Sequence, residues 1–243
     1  MKKLICAILA SVLLVFALAS CNETNFTSDV TGNAAADSPT AAPTQKPTES
    51  AHIAPKFEDI DLSTIDSLDG VGESASETDY VLLKIKDHGT ILIRLFPDVA
   101  PATVANFKKL VSEKFYDGLI FHRVIKNFMI QGGDPTGTGY YGSGVNIKGE
   151  FTSNGFVNNL LHKKGVVSMA RGSAPDSASS QFFICQKTYP SLDEDYASFG
   201  FVVYGIDVVD AIANLPTDRN DKPVTDVVIE SIRFASVPQN SAE

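Results

Sequence analysis

Apolar positions change pattern sharply along this 243-residue chain. Residues 1–20 begin with Lys2 and Lys3 and continue as an apolar run from Leu4 to Ala19, broken by Ser11 alone. Residues 22–55 lose that pattern and become rich in Ala, Thr, Ser, Asn and Pro, with prolines at 39, 43, 47 and 55. Such a composition cannot bury a core and predicts disorder or an extended linker. Phe57, Ile60, Ile65 and Leu68 then hint at a short amphipathic turn, which either docks on the folded part or does nothing; the second is the simpler expectation.

From Tyr80 the apolar residues become periodic. The segment YVLLKIKDHGTILIRLF (80–96) holds two apolar runs around Asp87-His88-Gly89, a β-hairpin signal. Pro101 opens a helix with Val104, Phe107, Leu110 and Val111 on one face and Lys108, Lys109 and Lys114 on the other. Short strands are predicted at 119–125, 128–131, 165–169, 181–186 and 199–203. A second brief helix is predicted at 207–214, where Val208, Ala211 and Ile212 share a face, and a last strand from Asp226 to Phe234. This mainly β pattern with two isolated helices suggests an antiparallel barrel, although propensity alone does not separate barrel from sandwich.

The apolar run at the N-terminus is short for a membrane span, which needs about 20 residues. Basic start, apolar stretch and small residues near the end form a signal-peptide pattern. Leu18-Ala19-Ser20-Cys21 resembles the bacterial lipobox, which implies cleavage before Cys21 and lipidation of its thiol. The alternative is an ordinary signal peptide with an incidental cysteine. Acyl chains contribute about 0.8 kcal/mol per buried methylene, so two or more hold a protein on a bilayer. The expected division is therefore a signal peptide at 1–20, an acidic tether at 21–78, a folded domain at 79–235 and a flexible tail at 236–243.

Charge follows the same division. The formal net charge is −9, and residues 22–79 hold twelve acids against two bases, Lys46 and Lys56. Once Lys2 and Lys3 leave, residues 80–243 sit near neutrality with sixteen bases and seventeen acids. No basic patch of the kind that binds nucleic acid is present in the sequence. A flexible chain over 22–79 would reach roughly 40–45 Å, and its acidity would keep it off anionic headgroups. Cys6 lies in the signal and Cys21 is assigned to lipid, which leaves Cys185 alone as a small buried hydrophobe.

The chemistry concentrates in FHRVIKNFMIQGGD (121–134) and SQFFIC (180–185). These bring one arginine and two glutamines together with phenylalanine and methionine, the ingredients of an apolar pocket with a cation and amide donors at its lip. Both stretches resemble the cyclophilin family of peptidyl-prolyl cis-trans isomerases, over roughly residues 79–234. The resemblance implies a closed eight-stranded antiparallel β-barrel capped by two α-helices. It implies that Arg123 is the catalytic donor to the prolyl nitrogen and that Gln131 steadies it. Phe128, Met129, Phe183 and Leu192 align with the walls of the proline pocket. Aromatics on strands are usually core, and Phe128 or Phe183 alone would read that way; their joint appearance with Arg123 points to the pocket. Gln181 aligns with a residue contacting the peptide backbone, and Ala170 and Arg171 align with the groove lining. Arg171 stands where the family commonly has asparagine, which suggests a preference for acidic residues before proline. Tyr196 stands where many members have histidine. Ser191 replaces a tryptophan whose indole helps bind cyclosporin, so weak drug binding is expected with activity retained.

Other motifs carry less. Gly137-Thr138-Gly139-Tyr140-Tyr141-Gly142 fits a dinucleotide fingerprint by letters, but no helical period follows it. Asp193-Glu194-Asp195 lacks the remaining ligands of a calcium loop. His122 and His162 have no partners at metal-ligand spacing, and each is expected to satisfy a local hydrogen bond. Asp98, His122 and Ser168 form no recognisable triad, since Ser168 lacks a nucleophile elbow. The reading is a monomeric isomerase that needs no cofactor or metal and acts on proline-containing exported polypeptides at a bacterial membrane. The alternative is a non-catalytic module that binds proline peptides as a chaperone or scaffold.

Overall fold

The Tyr80 hairpin sets the frame of the molecule. A computed structural model describes residues 52–238, so residues 1–20, Cys21 and the tail beyond 238 lie outside the described residues. Strand β1 is Gly72–Glu73; β2 (Tyr80–Ile85) and β3 (Gly89–Leu95) form the hairpin, with Val81 opposite Ile93 and Leu83 opposite Ile91. Asp87 at φ 62° and Gly89 at φ 123° turn the chain between them. Helix α1 (Pro101–Ser112) buries Val104, Phe107, Leu110 and Val111, the predicted face. Strands β4 (Phe121–Ile125), β5 (Met129–Gly132), β6 (Val166–Met169), β7 (Phe182–Cys185) and β8 (Ser198–Tyr204) follow. Helix α2 (Ile206–Ala213) and β9 (Ile229–Ser236) complete the described chain.

The nine strands make one antiparallel sheet in the order β1-β9-β2-β3-β8-β6-β7-β5-β4. Two expectations change here. The strands number nine rather than eight, because the short β1 pairs along β9. The ladder is not a closed barrel: among the described residues β4 and β9 meet through an isolated bridge, Ile120 to Val228, and flanking hydrogen bonds such as Ile229 N–H to Leu119 O at 2.8 Å. Phe107 of α1 packs between Tyr116, Phe182 and Phe199 at ring-centroid distances of 5.2, 5.6 and 5.1 Å.

Helix α1 has no local cap, since Ala100 offers no side-chain acceptor. Buried Glu150 supplies one from far along the chain, accepting from the Ala102 amide at 3.0 Å and the Thr103 amide at 2.8 Å. A carboxylate there satisfies two orphan donors and meets the positive end of the helix dipole. Helix α2 buries Val209, Ile212 and Ala213, so of the apolar face Val208, Ala211 and Ile212 only Ile212 is buried. The helix starts one residue earlier than predicted, after Gly205 at φ 86°, where a Cβ would lie 2.5 Å from Thr90 O.

The largest departure concerns residues 52–79, expected to belong to a tether. They pack along the domain. A turn at Phe57–Asp59 places the Phe57 ring under the Lys163 ammonium, 4.1 Å from the centroid. Ile60 is buried, Ile65 N–H donates to Val203 O at 2.8 Å, and Phe57, Leu62, Leu68 and Val71 pack against the core. The acids here meet bases of the domain: Asp61 with Arg94, Glu73 with Lys84 at 2.6 Å, and Asp79 with Lys108 at 2.8 Å. Four of the eight acids in this stretch are thus paired with bases of the domain, Glu77 sharing Lys108 with Asp79. Removing residues 52–79 exposes that apolar face and the edge of β9. The expected result is a melting temperature lower by about 5 °C or more in a thermal scan, at roughly 2–4 °C per kcal/mol for a domain of this size.

Candidate active site

The site is built on one face of the β4-β5-β7 ladder. Arg123 is paired with Gln131, and Gln131 with Phe183; Ile125 is paired with Met129, and Met129 with Cys185. Paired residues and their neighbours two positions away share a face. Arg123, Ile125, Met129, Gln131, Phe183 and Cys185 therefore project together, while Val124, Ile130 and Ile184 fill the main core on the other side. The β4-β5 turn is fixed by Asn127 at φ 63°, whose amide donates to Gln186 Oε1 at 2.7 Å.

The outer face encloses a cavity of about 150 Å³ lined by Arg123, Phe128, Met129, Gln131, Ala170, Arg171, Phe183, Leu192 and Tyr196. A cavity of that order accommodates a single small ring. Met129 and Phe183 form the buried floor. Phe128 leans on Tyr189, with centroids 4.4 Å apart, and Tyr196 meets the edge of Phe183 at 6.0 Å. Leu192 comes from the short turn Pro190–Leu192.

The polar lip is a hydrogen-bonded chain. Arg123 Nη1 donates to Gln131 Oε1 at 3.2 Å, and Gln131 Nε2 donates to Gln181 Oε1 at 2.8 Å. Gln181 Nε2 in turn donates to the carbonyls of Gly139 and Tyr141, at 3.0 and 2.7 Å. Each amide has one orientation that satisfies both neighbours, so the chain fixes where the guanidinium lies. On the opposite edge, Asp221 Oδ2 lies 3.8 Å from Arg123 Nε.

Gln181 lines a neighbouring groove of about 500 Å³, with Tyr140, Tyr141, Ala170 and Arg171 on its walls. The glycine-rich segment that mimics a dinucleotide motif is the far wall of this groove. It folds around the buried carboxylate of Asp134, which accepts from Thr136 N–H at 2.7 Å, Thr136 Oγ1 at 2.9 Å and Gly139 N–H at 2.6 Å. Arg171 is not an open cation at the rim. Its guanidinium lies 4.9 Å from the centroids of both Phe151 and Tyr196, and Nε donates to Asp195 O at 2.9 Å. It braces Tyr196, which weakens the case for a preference for acidic residues.

Two histidines behave differently. Buried His162 lies between Asp193 Oδ1 at 2.9 Å and Ser168 Oγ at 3.0 Å and stacks behind Phe183, ring centroids 6.0 Å apart. Burial pushes its pKa down against the pull of Asp193. Ser168 is fully buried, so this Asp-His-Ser row is a support under the pocket wall rather than an exposed nucleophile. His122, expected to be satisfied, makes no well-formed hydrogen bond from either ring nitrogen among the described residues, and burial holds it below the ordinary histidine range against the pull of Asp134 and nearby Gln181. Buried Cys185 has its thiol pushed up to about 12 by burial, which suits an inert hydrophobe. Among the described residues no group of three or more His, Cys, Asp or Glu is placed to hold a metal ion.

The ten residues assigned to catalysis or substrate binding line this cavity, its adjoining groove, or both. Cys21 lies outside the described residues. Sequence reasoning missed His162 as a support, Tyr189 as a buttress for Phe128, and Asp221 beside Arg123. Residues 80–234 match the family model described as cyclophilin type peptidyl-prolyl cis-trans isomerase/CLD. The chain belongs to this family. A peptidyl-prolyl cis-trans isomerase-like 1 protein of Neurospora crassa is 43% identical over 146 residues, covering 60% of this chain and 88% of that cyclophilin. A bifunctional phosphatase/peptidyl-prolyl cis-trans isomerase of Streptococcus pyogenes is 41% identical over 175 residues, covering 60% of this chain and 37% of that longer protein. The crystal structure of a Cryptosporidium parvum cyclophilin, determined in the presence of the dipeptide Ala-Pro, superposes with a TM-score of 0.60 at 33% identity. That match covers 65% of this chain and 99% of the other.

The groove wall of this cyclophilin depends on an ionised Asp134. Burial alone would raise its pKa, but the bonds from Thr136, Tyr141 and Gly139 outweigh it and hold the carboxyl below the usual range. A depressed folded pKa contributes stability above the unfolded value, about 3.9, and that stability is lost as pH falls through the folded pKa. Asp134→Asn is expected to destabilise the domain by about 2–4 kcal/mol at pH 7 in urea titrations. The gap to wild type should close as pH drops below about 4; a gap independent of pH contradicts the assignment.

Proposed function

We propose that the pocket binds the proline ring of an X–Pro segment and that Arg123 lowers the rotation barrier by hydrogen-bonding the prolyl nitrogen. Conjugation in the amide sets that barrier at about 18–20 kcal/mol. At the twisted transition state the nitrogen lone pair is released and becomes an acceptor, so a donor aimed at it binds that state better than either planar isomer. No bond breaks, and no nucleophile or proton transfer is required.

One observation carries this reading: a fixed guanidinium stands at the lip of a ring-sized apolar cavity. A guanidinium has five N–H donors and stays protonated. Gln131 takes one of them and sets the fork's orientation, leaving others for a ligand. Phe128, Met129, Phe183, Leu192 and Tyr196 hold the ring while the preceding residue swings. Ala170 lines both cavities and Gln181 lines the adjoining groove, where a peptide backbone would pass. Ser191, next to Leu192 in the chain, offers no indole to cyclosporin.

The cellular setting is part of the same proposal. Lys2 and Lys3, the apolar run to Ala19 and the Leu18-Ala19-Ser20-Cys21 sequence support export and lipidation. On this reading a tethered monomer speeds slow proline steps of exported polypeptides outside a bacterial cytoplasmic membrane. Uncatalysed steps of that kind take tens to hundreds of seconds.

Arg123 is partly exposed and its truncation leaves the β4-β5 backbone pairing intact, so Arg123→Ala should fold normally. Its kcat/KM on an Ala-Pro peptide is expected to fall about 10²–10³-fold, as for loss of one transition-state donor. Exchange NMR separates the alternatives, because a non-catalytic peptide binder shifts peaks without speeding exchange. Micromolar cyclosporin should leave most wild-type activity, and a submicromolar inhibition constant removes the Ser191 argument. For the anchor, Cys21→Ser should move the protein from the membrane pellet to the soluble fraction in cell fractionation; unchanged pelleting counts against lipidation.

A further inference from the structure

The second anchor on Arg123 comes from a distant turn. We propose that Asp221 is a positioning residue of the active site: its carboxylate fixes the Nε edge of the Arg123 guanidinium while Gln131 fixes Nη1. This deepens the reading of Arg123 given above and rests on it.

Asp221 belongs to the turn Asp218–Lys222, between α2 and β9. The Asp218 carboxylate accepts from the amides of Asn220 at 2.8 Å and Lys222 at 3.0 Å, and Asp218 N–H donates to Lys222 O at 2.8 Å. The closed turn is pinned to β4 through Val124 N–H, which donates to Asp221 O at 2.8 Å. That bond sets the backbone of residue 221 beside residue 124 and delivers its side chain to Arg123, with Oδ2 3.8 Å from Nε. The adjacent Lys222 turns away and pairs with Asp226 at 3.1 Å.

The backbone at this point adds a second argument. Asp221 has φ 63°, in the left-handed region where a Cβ is unfavourable and glycine is free. The turn would therefore close as well or better with glycine, and the carboxylate is not needed to make it. Its contact with Arg123 is what the side chain supplies. An arginine has many rotamers, and a hydrogen bond at Nη1 together with an ion-pair contact at Nε biases them before substrate arrives. Nη2 is left for the prolyl nitrogen. Both groups are roughly half exposed, with side-chain exposures of 43% and 46%, so the coupling is modest and sensitive to salt.

Backbone strain and side-chain contact predict opposite orders, which makes the idea testable on the full chain. The steady-state constants on an Ala-Pro peptide and the melting temperature are measured for wild type, Asp221→Gly, Asp221→Asn, Asp221→Ala and Arg123→Ala. Asp221→Gly is expected to melt at or above the wild-type temperature while its kcat falls about two- to five-fold and KM stays within about two-fold, the range an exposed ion pair supports. Asparagine keeps an acceptor and tolerates the left-handed backbone, so it should retain more activity than glycine. The gap between wild type and Asp221→Gly should shrink in 1 M salt, where the screening length is about 3 Å. A kcat for Asp221→Gly within two-fold of wild type overturns the proposal, and so does a ranking of kcat that follows melting temperature. Full turnover by Arg123→Ala would overturn the reading of Arg123 itself, whereas its loss with an unaffected glycine variant overturns the role of Asp221 alone.

Discussion

Register between β5 and β7 is the constraint on which the pocket depends. The pairs Gln131 with Phe183 and Met129 with Cys185 put the amide of the lip and the apolar floor on one side of the sheet. Ile130 and Ile184, one position over, belong to the main core. A slip of one residue would exchange these sets, burying Gln131 and presenting Ile130 to the groove. Burial of the core face therefore holds the strand register on which the site is built. His162 extends this logic: it ties Asp193, next to Leu192, to Ser168 on β6 and stacks behind Phe183.

Polar organisation at the lip follows a different rule. The chain from Arg123 through Gln131 and Gln181 ends on carbonyls of the loop wound around Asp134. That arrangement couples the guanidinium of the ring pocket to the wall of the neighbouring groove. A peptide lying in both would meet groups that are already oriented, which limits the ordering needed on binding. Arg171 contributes in the same way by lying over the rings of both Tyr196 and Phe151 instead of presenting a free charge.

Periodicity made much of this legible. The hairpin from Tyr80, the face of α1 and the strands carrying Arg123, Gln131 and Phe183 are local patterns, and local patterns survive in a sequence. The pocket residues became recognisable because two short blocks carry most of them. What stayed hidden was long-range. Glu150 caps a helix nearly fifty residues earlier in the chain, Asp221 reaches Arg123 across about a hundred, and neither has a local signature. The packing of residues 52–79 was obscured by composition, because Asp61, Glu73 and Asp79 look like solvated acids until their bases are placed beside them. The ladder order, open at β4 and β1, is likewise a property of pairing and not of any one strand.

The Glu150 contact also bears on the order of events during synthesis and folding. Pro101–Ser112 emerges with its first amides unsatisfied, and an isolated stretch of that length is marginal in water. Its acceptor arrives only after the β4-β5 hairpin and the glycine-rich loop have been made. The loop that closes this contact is long, so its entropy must be overcome before the helix end is secured. The N-terminal cap of helix α1 therefore cannot form until residue 150 has been made, and it is supplied by the segment that follows the loop lining the groove.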